Sequence, residues 1–196
     1  MQKMFAAALL LAFAFGCVQQ PQFGAYGSAH EHADFKMYVN VQAIDFSAEK
    51  YQTEIPHDAQ AGEECGNDTS RLAHLHGWDG NVVHKHATGV TWGYFFGTIG
   101  INMSDSCIFV RKDGTALCDA KFGSWRYFVN GKEVKQIRNV EIMNLDRVLI
   151  TYGQADKTEI AAQLETVTSK AASEDANGTC ASGEANASAA EGYFDS

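Results

Sequence analysis

Six of the seven histidines in this chain of 196 residues fall in His-x-His pairs: His30/His32, His74/His76 and His84/His86. Residues two apart on an extended strand project to the same face, so each pair can set two imidazoles side by side. The second and third pairs flank Trp78-Asp79-Gly80-Asn81 and read as the arms of one hairpin, Leu72 to Ala87. With a turn symmetric about Gly80, His76 lies opposite His84 and His74 opposite His86. All four then share one face, with opposed Cβ atoms about 4.5–5.5 Å apart. A one-residue slip of the turn would split them across two faces.

Neutral imidazole is the commonest protein ligand for Zn²⁺, Cu²⁺ and Ni²⁺, and three or four of them suit a tetrahedral or tetragonal site. Partly protonated rings left together would repel, and a metal relieves this by using their lone pairs. His30 and His32, on a strand of their own, add ligands or form a second site. Asp34 and Asp79 are the candidate outer partners that would orient the ring N–H groups. His57, beside Pro56 and Asp58, reads as a surface residue. No cysteine adjoins the histidines, which disfavours a Cys/His zinc finger and blue-copper geometry, so the expected ion is Cu²⁺ or Zn²⁺. There is no His-Glu-x-x-His, no nucleophile motif and no Gly-rich phosphate loop, and the sequence offers no positive evidence for an enzyme. Two other readings stay open: a pH-responsive histidine interface for adhesion or assembly, and a three-histidine metalloenzyme.

The elements that must position these residues form an α+β domain over about 30–155, a mostly antiparallel sheet built of hairpins with one or two covering helices. From His30 to Val41 the chain alternates, with Ala33, Phe35, Met37, Val39 and Val41 on one face and His30, His32, Asp34, Lys36 and Tyr38 on the other. Residues 47–71 are polar and hold Pro56, Gly62 and Gly66, as a long loop does. Trp92, Phe95, Phe96 and Ile99 recur at helical spacing behind Thr91 and mark a core-packing helix. Strands are expected at about 107–111, 115–119, 125–129, 133–137 and 147–152, with Asn130-Gly131 as a type I′ turn. Asp156 and Glu159 make a capping box for one amphipathic helix over about 157–171, within a segment bounded at 156–172.

The flanks speak of export. Lys3 precedes an apolar run from Phe5 to Phe15, too short to span a bilayer, and Ala14-Phe15-Gly16-Cys17 resembles a lipobox. Residues 1–17 thus read as a signal peptide with lipidation at Cys17, anchoring the chain to the membrane, and 18–29 as a tether. Four cysteines remain, an even count suited to an oxidising compartment. Cys107 and Cys118 sit at the ends of a tight hairpin and are the favoured disulfide; the pairing of Cys65 and Cys180 stays open. Asn67, Asn102, Asn177 and Asn186 head Asn-x-Ser/Thr triplets. The formal net charge is −9, and the segment 173–196 is an acidic low-complexity tail with no Lys or Arg. No basic patch exists to neutralise phosphates, which argues against nucleic acid as a partner.

Taken together, His30-Glu31-His32-Ala33-Asp34-Phe35, His74-Leu75-His76, Gly80-Asn81-Val82-Val83-His84-Lys85-His86-Ala87, Thr91-x-Gly93-x-Phe95-Phe96 and Leu145 to Gly153 resemble a group of small exported, His-rich proteins of archaea and uncultured bacteria. The resemblance covers most of residues 30–168. It implies an exported, histidine-rich protein and supplies no reaction. The tail departs from the group's pattern, which holds more cysteines there. The sequence thus leads to an exported protein that sequesters, buffers or delivers a metal ion.

Overall fold

A computed structural model describes residues 23–52, 72–110 and 114–177, with the side chains of 175–177 excepted. The leader, Cys17, His57, Cys65, Asn67, Cys180 and Asn186 lie outside the described residues, as does most of the expected loop 47–71.

The fold is α+β, with about twice as much strand as helix. The larger sheet has β1 (Glu31–Val39) near its centre. On one side lie β4 (Val82–Lys85) and then β3 (Ala73–His74) at the edge. On the other side run β10 (Arg147–Gly153), β8 (Ser124–Val129) and β9 (Lys132–Val134). The short β2 (Gln42–Ala43) returns on β1. All pairings in this sheet are antiparallel except that of β1 with β10, which are parallel neighbours in the middle. A second sheet joins β5 (Ile101–Met103), β6 (Cys107–Val110) and β7 (Thr115–Cys118). Cys107 and Cys118 are directly opposed there and form the expected disulfide. Asn130 and Gly131 both have positive φ, as a type I′ turn demands.

The large sheet is buried on both faces, which is why Val148, Leu149 and Ile150 form an unbroken apolar run. On one face, Ala33, Phe35, Met37, Val83, Val148 and Ile150 pack against Trp92, Phe95 and Phe96 of α1 (Trp92–Thr98). Thr91 caps that helix by accepting from the Tyr94 amide. On the other face, Tyr38, Phe128 and Leu149 pack against Ile160 and Val167 at and beyond α2 (Lys157–Glu165). The capping box is present: Asp156 accepts from the amides of Thr158 and Glu159, and Glu159 accepts from the amide of Asp156.

Four sequence expectations need correction. The helix over 157–171 is two helices, because α2 stops at Glu165 and α3 (Ala171–Asn177) starts six residues later. The break is imposed from across the fold. Arg147 donates to the carbonyls of Val167 and Thr168, while the Asp34 carboxylate accepts from the Thr168 hydroxyl and the amides of Lys170 and Ala171. The acidic segment expected to begin at 173 is helical as far as Asn177. Part of the tether is docked as well: the Gly24 amide donates to the Thr88 carbonyl at 2.9 Å and the Gly27 amide to the His86 carbonyl at 2.7 Å.

The hairpin is also displaced from its expected register. His74, not His76, lies opposite His84, and Ala73 lies opposite Lys85. The left-handed residues are Gly77 and Trp78, at φ 66° and 59°. Gly80 serves packing instead, since a Cβ there would sit 2.4 Å from the Ser47 amide nitrogen. Asp79 accepts from the amide of Asn81, bending the chain into β4 by an Asx turn. The displacement is two residues, an even number, so the four histidines keep their common face.

Candidate functional site

β4 lies between β3 and β1, and each of the three brings one His-x-His pair. His74 and His32 stand directly opposite His84, one from each side, so three imidazoles form a row across three strands. His86 lies just past the end of β4, His30 just before β1, and His76 in the turn after β3. The rings form one continuous set of contacts. His76 meets His84 at 3.9 Å between centroids, His32 meets His84 at 4.6 Å, His30 meets His32 at 4.8 Å and His74 meets His86 at 5.0 Å. His74 and His86 are stacked, as are His30 and His86 at 5.4 Å. Tyr26, in the docked tether, adds its ring 5.6 Å from His86.

His32, His74, His84 and His86 are buried, whereas His30 and His76 are half-buried. His76 Nε2 and His84 Nδ1 are 3.2 Å apart, one ring donating and the other accepting according to tautomer. Burial above all, and then the neighbouring His76, His32, His74 and His86, holds His84 far below its ordinary value. Burial, followed by His74 and His30, pushes His86 down to about 3. Both rings are neutral throughout the physiological range, the state in which imidazole ligates a metal. His86 Nε2 is buried without a hydrogen-bond partner. Among the described residues, no group of three or more His, Cys, Asp or Glu side chains is gathered to hold an ion as it stands.

The two acids expected to orient the rings are turned elsewhere. Asp34 holds the residues that lead into α3, as described above. Asp79 accepts from the Asn81 side chain at 2.9 Å and from Lys170 Nζ at 2.6 Å. Burial opposes its ionisation, yet the bonds from Lys170 and Asn81 more than offset this and hold its pKa below the usual value. Asp34 and Asp79 therefore both fasten the 168–171 segment against the histidine-bearing face.

Sequence reasoning passed over Lys85. This residue points away from the histidines, onto the face of Val83, and has 0% exposure. Its ammonium donates to Glu31 at 2.7 Å, Glu141 at 2.9 Å and the Ile142 carbonyl at 2.6 Å, which uses all three of its protons. Strand alternation carries the signal that would have found it: a lysine two residues from Val83 must lie on the core side and be matched by acids. Glu141 also accepts from the Gly89 amide, which ties the end of β4 to the strand-like turn before β10.

No family model, curated protein or solved structure matches this chain.

Proposed function

We propose that this protein binds a transition-metal ion, Cu²⁺ or Zn²⁺, through its clustered histidines. It does so as an exported protein, anchored through Cys17, that sequesters, buffers or hands over the ion at the outer face of the cell membrane. One observation carries the reading: three adjacent strands each deliver a His-x-His pair to a single patch, and the six rings touch in one continuous set. Burying neutral imidazoles beside one another strands polar nitrogens such as His86 Nε2, and that cost is recovered when the nitrogens bind a ligand. The 3.2 Å between His76 Nε2 and His84 Nδ1 is close to the roughly 3.3 Å between two nitrogens on one tetrahedral ion with bonds of about 2.0 Å. The strands fix the Cα positions, so rotation of the rings about their side-chain torsions is the adjustment that an ion requires.

The interface reading draws less support, because four of the six rings are buried. The Cys107–Cys118 disulfide agrees with an oxidising compartment.

Calorimetric titration of the purified full chain with Cu²⁺ and with Zn²⁺ at pH 7.5 tests the reading. Tight, saturable binding is expected, weakened at least 100-fold in the variant His74→Ala/His86→Ala. Binding that is unchanged in this variant would sink the proposal.

A further inference from the structure

The end of the large sheet that carries His30 and His86 is also the end at which the N-terminal tether docks. Gly24 donates to the Thr88 carbonyl and Gly27 to the His86 carbonyl, and the Tyr26 ring lies against His86. The turn before β10 closes the same end. Its Leu145 amide donates to the His32 carbonyl at 2.7 Å, and its Asn144 side chain accepts from the His32 amide at 2.9 Å. This turn presents two large apolar side chains to solvent, Met143 at 51% and Leu145 at 47% exposure. Leu145 has φ 63°, a left-handed conformation that a leucine adopts only under constraint. Asp146 supplies the constraint. Its carboxylate accepts from the Met143 amide and the Asn130 side chain, and its amide donates to the Met143 carbonyl. A strained turn held so as to turn apolar side chains outward marks a contact surface.

What meets that surface follows from the length of chain before it. Cys17, the residue that would carry the anchoring lipid, precedes Phe23 by six residues. Six residues span roughly 20 Å when fully extended. A domain of this size is about 30 Å or more across. A leash shorter than the domain holds the docked end nearest the bilayer. Val41, just past β1, and Phe122, just before β8, are exposed at the opposite end of the sheet. Charge does not oppose the contact: Glu31 and Glu141 lie at the docked end, but both are paired with the buried Lys85 ammonium, at 2.7 and 2.9 Å.

We propose that the end of the domain bearing Met143 and Leu145 rests on the outer surface of the lipid bilayer, with these two side chains among the headgroups. This rests on the Cys17-anchored reading above and adds to it an orientation and a contact surface. Burial of the two apolar side chains at the interface adds to the hold of the lipid. His30 and His86 then lie at the side of the domain that meets the membrane.

Photo-crosslinking tests the orientation. The mature chain is extracted from membranes and reconstituted in nanodiscs of phosphatidylcholine that carries a diazirine close to its glycerol. After illumination, peptide mass spectrometry should find lipid adducts on the peptide containing Met143 and Leu145 at least about 5-fold more often than on those containing Val41 or Phe122. Adducts that are equal at both ends, or more frequent at Val41 and Phe122, would overturn the proposal. Adducts confined to the chain before Phe23 would also overturn it, while leaving the lipid anchor intact. An intact mass that shows no lipid on Cys17 would overturn both the orientation and the anchor, and would leave metal binding to the calorimetric test.

Discussion

A buried imidazole surrounded by others resists protonation, because the charge would lose its water and meet neighbours that are potential cations themselves. The consequence for stability has a definite sign. An unfolded chain's histidines take up protons near pH 6.5, whereas His86 in the folded protein does so at about 3 and His84 lower still. Between these limits the unfolded state binds more protons, so the stability contributed by these residues is complete above pH 6.5 and is lost as the pH falls toward 3. The metal-free protein should therefore lose on the order of 2–4 kcal/mol between pH 7.5 and pH 4.5. Thermal melts across that range would measure this, and the variant His84→Gln/His86→Gln should flatten the profile. A parent profile that is already flat would mean that the rings are hydrated and not packed. At this scale the sequence was informative. The His-x-His spacing put the hairpin's imidazoles on a common face because strand periodicity is local, although their cross-strand partners are displaced by two residues. Asp34 and Asp79 were misjudged because Thr168, Lys170 and Ala171, which draw them away from the rings, lie far along the chain and carry no local mark.

Among the elements, the segment 166–171 and α3 depend on contacts supplied from elsewhere. Asp34 accepts three hydrogen bonds from Thr168, Lys170 and Ala171, Arg147 holds two carbonyls, and Lys170 reaches Asp79. Removing the carboxylate leaves two amides and a hydroxyl without their acceptor, a loss of about 2–4 kcal/mol. Asp34→Ala should therefore free the backbone amides of 168–177 to exchange with solvent at least 10-fold faster, while those of β10 stay protected. Hydrogen-exchange mass spectrometry resolves the two segments. Equal loss of protection in both would show that Asp34 supports the whole sheet and not one segment. The capping box at Asp156 was legible because all its parts lie within four residues. The end of α2 was not, since the residues that stop it come from β1 and β10. The hairpin register slipped for a related reason: Gly80 looks like a turn residue by composition, but residues 46 and 47 require its missing side chain.

For the whole molecule, the class of fold was legible and its topology only in part. Hairpins announce themselves through short turns such as Asn130-Gly131, and so the β6–β7 and β8–β9 hairpins were placed close to where they lie, whereas β5 and its pairing with β6 were not foreseen. The parallel pairing of β1 with β10 joins strands at opposite ends of the domain, and alternation within each strand says nothing of the other. That pairing seats β1 in the middle of the sheet, next to β4 on its other side, and thereby brings His30 and His32 to the hairpin's four histidines. Assembly of the whole sheet is thus what brings three separate motifs to one patch. X-ray absorption spectroscopy of the full chain loaded with Zn²⁺ or Cu²⁺ tests that central claim most directly. A first shell dominated by nitrogen at about 2.0 Å, with the outer-shell scattering of several imidazole rings, is the predicted result. A shell of oxygen donors without imidazole scattering would contradict it.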